Sequence, residues 1–152
     1  MLQRLPDVFK SLQSHGVKYI VIGGVAAVLH GVPRARFDPD ILIEPTRENA
    51  ENLLKALLAA DLETASLISP ENLLANEITV FNDLVRIDVR TSTPGLAFDV
   101  AWKNRVTLEY QGQPLLVASR HDLIASKTAA GRDVDLQDVR TLSTAGDGSK
   151  ES

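Results

Sequence analysis

The stretch "GGVAAVLHGVPRARFDPDILIEP", residues 23–45, opens with two glycines directly after the apolar run "VKYIVI" and closes with Asp38 and Asp40 on either side of Pro39. "VKYIVI", 17–22, is short, β-branched and nearly all apolar, the pattern of a strand buried on both faces. After the Gly23-Gly24 turn, "VAAVLH" reads as a short helix stopped by Gly31 and Pro33, and "FDPDILIE" as a second strand stopped by Pro45. Side chains alternate along a strand, so Asp38 and Asp40 are expected on one face with Pro39 on the other. Two neighbouring carboxylates repel, and a shared divalent cation turns that repulsion into binding; hard oxygen ligands favour Mg²⁺ or Mn²⁺. A Gly-Gly turn that opens a helix lets backbone N–H groups and the helix N-terminus approach a phosphate. Pro39 has no N–H to donate, which places the pair at a sheet edge, a strand end or a bulge.

Outward from this stretch, Val8, Phe9 and Leu12 give a helix over 6–15 that Gly16 ends, and Thr46 caps a helix over 47–60 with Leu53, Leu54, Leu57 and Leu58 as its apolar stripe. Ser69-Pro70 starts a short helical turn. "EITVF" and "LVRIDVRT" are the arms of a hairpin across Asn82-Asp83, and in the second arm Ile87 and Val89 face one way while Arg86, Asp88 and Arg90 face the other. Asp88 is thereby a third carboxylate that a neighbouring strand can bring to the pair. Residues 96–103 read as helix, "RVTLEY" and "PLLVA" as a hairpin across Gln111-Gly112, and Ser119 with Asp122 as a capping box for a helix over 120–130. A last helix covers 135–142, and "AGDGSKES" is a small, polar tail. The sequence divides into one domain, 1–144, and a flexible tail, 145–152; no repeat is visible.

Composition narrows the classes. A chain of 152 residues, 44% hydrophobic and 24% charged, is an ordinary globular domain. No apolar stretch reaches the ~20 residues of a spanning helix, and the N-terminus has no signal-peptide pattern, so no membrane partner is expected. The absence of cysteine excludes disulfides and thiolate metal sites and agrees with a cytoplasmic location. A net charge of −4 gives no broad electrostatic drive toward nucleic acid, leaving local contacts for any polynucleotide.

Gly23, Gly24, Asp38, Asp40 and Asp88, in this order and spacing, resemble the small nucleotidyltransferases of the DNA polymerase β-like superfamily, in their bacterial toxin-related (AbiEii-like) branch. "DLIASKTAAGRDVDLQDVRTL" is similar to that branch's later helical segment, matching at Lys127, Arg132, Asp135 and Asp138. The resemblance covers most of the chain. It implies an α+β fold, a mixed β-sheet with helices packed on it, and transfer of a nucleoside monophosphate from an NTP to an RNA, protein or small-molecule acceptor with pyrophosphate as leaving group. Asp38, Asp40 and Asp88 would be catalytic and hold Mg²⁺ or Mn²⁺, Asp88 assisting deprotonation of the acceptor; Gly23, Gly24 and Lys127 would bind the nucleotide. The branch also implies a toxin–antitoxin setting, with tRNA or protein as acceptor and a cognate antitoxin as partner.

Two residues depart from the family pattern. Pro39 stands where an aliphatic residue is usual and Arg36 where Thr is common, so an alternative reading is a catalytically impaired module that binds nucleotide or a partner protein. A restriction-like nuclease ranks lower, because "DVR" at 88–90 supplies arginine where that chemistry uses lysine. Arg132, Asp135 and Asp138 read as a structural capping and ion-pair turn. His15, His30 and His121 lack ligand spacing, and Phe98 with Trp102 reads as core.

Overall fold

The structure is a computed structural model that describes residues 4–33 and 38–145. Arg36 lies outside the described residues, as do residues 146–152 of the expected tail. The elements in order are α1 (Leu5–Ser14), β1 (Tyr19–Ile22), α2 (Gly23–Leu29), β2 (Asp40–Ile43), α3 (Arg47–Ala59), a 3-10 turn Glu63–Leu67, α4 (Pro70–Ala75), β3 (Ile78–Asn82), β4 (Arg86–Arg90), α5 (Phe98–Asn104), β5 (Val106–Tyr110), β6 (Gln113–Val117), α6 (Arg120–Ala130) and α7 (Asp133–Ala145). They form a single α+β domain around a six-stranded mixed sheet of order β3-β4-β2-β1-β6-β5. The local hairpins β3/β4 and β5/β6 are antiparallel, as is β1/β2, whereas β2/β4 and β1/β6 are parallel.

Local chemistry explains most boundaries. Thr46 and Ser69 cap α3 and α4 by accepting from the N–H groups of Asn49 and Asn72, and Ser119 caps α6 through the N–H of Asp122. Asp122 does not complete the expected box: its carboxylate accepts from the Asn104 side chain on α5. The β5/β6 turn needs left-handed backbone at both positions and has it, with φ 51° at Gln111 and 84° at Gly112. Leu5, Val8, Phe9 and Leu12 form the buried stripe of α1, and Leu53, Leu54 and Leu57 that of α3; Leu58 is on the exposed side, correcting the expected stripe by one position. The last helix is longer than expected and runs through Ala145, one residue into the expected tail.

All four residues of β1 are buried, as a central strand covered on both faces requires. Its Tyr19 hydroxyl accepts from Gln13 on α1 and from the Leu116 amide on β6, tying three elements together. Asn49, on α3, is buried, and no sequence signal marked it. Its side-chain oxygen accepts from Lys18 N at 2.8 Å and its nitrogen donates to the Lys18 and Glu44 carbonyls at 2.9 and 3.0 Å, clamping the start of β1 to the end of β2.

Candidate active site

The second strand is shorter than the sequence pattern indicates: β2 begins at Asp40, so Asp38 and Pro39 precede it. Burial nevertheless alternates across the stretch: Asp38 is exposed, Pro39 buried and Asp40 half-buried. Pro39 sits at a strand end, in the middle of the sheet rather than at its edge. Its carbonyl accepts from Asp88 N at 2.9 Å and so starts the β2/β4 ladder; no N–H is demanded of it there.

The register then aligns the chemistry. Ile22 pairs with Asp40, Asp40 with Asp88, and Asp88 with Val80, so these four residues form one row across the sheet on one face. Gly23 follows Ile22 with φ +71°, and a Cβ there would lie 3.1 Å from Asp40 Cβ and 3.2 Å from Asp40 Oδ2. Glycine is required twice, for the backbone and for the space that the carboxylate occupies. Gly24 continues α2 without a positive φ.

Each carboxylate of the row is met by an arginine two positions along β4 from Asp88. Arg90 Nε lies 3.1 Å from both oxygens of Asp40, and Arg86 donates to the two oxygens of Asp88 at 3.0 and 3.3 Å. Burial pushes the Asp40 carboxyl up to about 6; the Arg90 charge opposes this and the neighbouring Asp88 charge adds to it. The Arg86 guanidinium is raised by its hydrogen bonds to Asp88, then by the charges of Asp88, Asp38 and Asp40, so all three predicted carboxylates are felt at one point.

Beside Asp40 lies a cavity of about 310 Å³ whose lining includes Gly23, Asp40, Arg90, Ser126, Lys127 and Arg132. Gly24, Asp38 and Asp88 are outside its lining. Thr93 and Pro94 close another side, seated by Gly95, whose missing Cβ would stand 2.6 Å from Ala129 Cβ on α6. Lys127 is almost wholly buried, with Nζ 2.9 Å from Asp138 and 3.7 Å from Asp135. Arg132 Nε and its terminal nitrogen donate to Asp135 at 2.6 and 3.1 Å. Burial pushes the Asp135 carboxyl up, but the Arg132 hydrogen bonds and charge, with Lys127, outweigh it and hold it below the ordinary value. The "KTAAGRDVDLQD" segment is thus an ion-pair turn, as read from the sequence, that also walls the cavity.

Sequence reasoning put Arg86, Asp88 and Arg90 on one face but missed the Arg90–Asp40 contact, whose signal is the charge alternation of "RIDVR". Trp102 stacks on Phe98 at 5.6 Å and is capped by the Arg105 guanidinium at 3.9 Å, away from the cavity lining. Buried His30 donates from Nε2 to the Ala118 carbonyl at 2.8 Å, joining α2 to the approach to α6. No helix among the described residues is long and apolar enough to cross a membrane.

A metal fits the chemistry of these donors in one specific way. Among the described residues no group of three His, Cys, Asp or Glu side chains assembles into a protein-only cage. The in-register Asp40–Asp88 pair offers the one or two carboxylates on which Mg²⁺ commonly relies, the remaining oxygens coming from water and substrate phosphates.

Such a fold is of the nucleotidyltransferase type. Residues 2–146 match the model of a family described as "Nucleotidyltransferase of unknown function (DUF6036)", and the chain belongs to that family. Its fold is similar to that of a candidate nucleotidyltransferase from Thermotoga maritima, with a TM-score of 0.56, 16% identity, and coverage of 94% of this chain and 92% of the other. An antigenic nucleotidyltransferase-like protein from Paracoccidioides brasiliensis gives a TM-score of 0.58 at 18% identity, over 90% of this chain and 72% of the other. No curated protein matches the chain significantly.

Proposed function

We propose that the protein is a metal-dependent nucleotidyltransferase that moves a nucleoside monophosphate from an NTP to an acceptor hydroxyl. The observation that carries this reading is the Asp40–Asp88 register pair, whose Asp40 lines a cavity that also presents Gly23 and Lys127. Asp40 and Asp88 would hold Mg²⁺ or Mn²⁺, with Asp38 near enough to add its charge, and the ion when bound would neutralise triphosphate charge and polarise the α-phosphate. The Gly23-Gly24 backbone would lie against the phosphates, and Lys127 would supply a fixed charge beside them. Asp88 would accept the acceptor's proton as its oxygen bonds to the α-phosphorus and the bond to pyrophosphate breaks. The resemblance of "DLIASKTAAGRDVDLQD" to the toxin-related branch supports a cytoplasmic toxin–antitoxin setting, with tRNA or protein as acceptor and an antitoxin as partner.

The arginine contacts support a second reading. With Asp40 and Asp88 each held by an arginine, the domain would bind nucleotide or a partner protein without turnover. Incubation with α-labelled NTPs, Mg²⁺ and total tRNA or cell protein separates the two. Label transfer that is lost in Asp40→Asn supports the first; nucleotide binding without transfer supports the second; neither binding nor transfer overturns both.

A further inference from the structure

Three cations line the cavity, and they are held very differently. Lys127 is locked between two buried carboxylates, 7% exposed against 3% for each partner. Arg132 is bound to Asp135 by its backbone N–H as well as by two side-chain nitrogens. Among the described residues Arg90 holds only the site carboxylate Asp40, and its contacts to that carboxylate come from Nε, so four of its five N–H donors are not used on it.

That contact has a consequence for charge. A metal ion on Asp40 competes for the oxygens that Arg90 occupies, and a displaced guanidinium would stand beside the divalent ion with its charge uncompensated. A triphosphate arriving with the metal removes the conflict, because the guanidinium fork matches phosphate oxygens. We propose that Arg90 is a triphosphate-binding residue of this site, reached by exchange: Asp40 passes from Arg90 to the metal as Arg90 passes from Asp40 to the phosphates. This assignment rests on the nucleotidyltransferase reading. It makes Arg90 a gate against metal alone and a clamp for metal with nucleotide, while Lys127 and Arg132 keep their carboxylates.

The test uses the full chain, Mn²⁺, and an α,β-non-hydrolysable ATP analogue or its GTP, CTP and UTP counterparts. Free Mn²⁺ is followed by electron paramagnetic resonance and nucleotide by calorimetry, in parent, Arg90→Ala and Arg90→Lys, with circular dichroism to confirm folding. In the parent, the analogue should tighten Mn²⁺ binding at least tenfold. Arg90→Ala should bind Mn²⁺ alone several-fold more tightly than the parent and the Mn²⁺-analogue complex at least tenfold more weakly, with Arg90→Lys between. A merely structural arginine would not move the two affinities in opposite directions. Equal Mn²⁺ affinity in all three proteins, or unchanged analogue affinity in Arg90→Ala, overturns the assignment while parent binding still upholds the nucleotidyltransferase reading. A parent that binds neither Mn²⁺ nor any analogue overturns both.

Discussion

Gly23 and Asp40 occupy the same space from opposite sides: the Cβ that position 23 lacks would sit 3.1 Å from the Cβ of Asp40 and 3.2 Å from its Oδ2. The turn at the end of β1 thus leaves room for the carboxylate at the start of β2, and the two register partners Ile22 and Asp40 enforce the approach. Gly23→Ala should therefore cost about 1–2 kcal/mol for the left-handed backbone alone, and more for the clash. It should also move Asp40, so Mn²⁺ and nucleotide binding should fall further than at Gly24→Ala, where φ is not positive. Urea titration and calorimetry on the two variants check this, and equal effects would remove Gly23 from its special position.

Asp40 ties stability to pH with a defined sign. Its folded value of about 6 is raised above the ordinary 3.8, so the folded state holds this proton more tightly than the unfolded chain. The resulting stabilisation is full below about pH 4 and is lost as pH rises through about 6, a span on the order of 3 kcal/mol. Asp40→Asn cannot ionise. In metal-free buffer the parent-minus-variant stability should fall between pH 4 and pH 7, leaving Asp40→Asn at least as stable as the parent at pH 8. A flat difference across that range in urea denaturation would show that Asp40 is not strained by its burial.

The two strands and the turn between them were legible because their signals are local: β-branched residues, glycines with a steric task, and polar–apolar alternation in "RIDVR". Alternation placed Asp88 correctly, since β4 is regular across it with Ile87 and Val89 buried. Asp38 lies before β2, so the strand rule does not reach it, yet burial still alternates from exposed Asp38 through buried Pro39 to half-buried Asp40; Pro39, lacking an N–H, is where the ladder starts. Asn49 was invisible because its role depends on where α3 lies against the ends of β1 and β2, a tertiary relation that no neighbouring residue encodes. Lys127 was found by its motif, but its burial against α7 was not, since a helical lysine gives the same local pattern whether it faces solvent or a carboxylate.

Asn49→Leu keeps the volume and removes three hydrogen bonds, leaving the Lys18 amide and two carbonyls to find new partners. A loss of about 3 kcal/mol is expected, with β1 and β2 exchanging amide hydrogens faster at their Lys18 and Glu44 ends. A loss below about 1 kcal/mol in chemical denaturation would mean that water replaces the amide at no great cost.

The last prediction separates the two roles of Lys127. Its ammonium lies 2.9 Å from Asp138 with both groups almost fully buried, so Lys127→Met takes the cation from a buried carboxylate and should cost about 3–5 kcal/mol. A drop in nucleotide binding by that variant alone would be uninterpretable, because the α6–α7 wall of the cavity would loosen with it. Lys127→Met combined with Asp138→Leu replaces the pair by apolar side chains and should recover most of the lost stability, giving a coupling of at least 2 kcal/mol in the double-mutant cycle. Calorimetry on the refolded pair then reads what Lys127 contributes to the nucleotide itself. If Lys127 supplies a fixed charge to the triphosphate, affinity should stay several-fold below the parent after stability returns. Parent-like affinity in the stabilised double variant would confine Lys127 to holding α6 against α7.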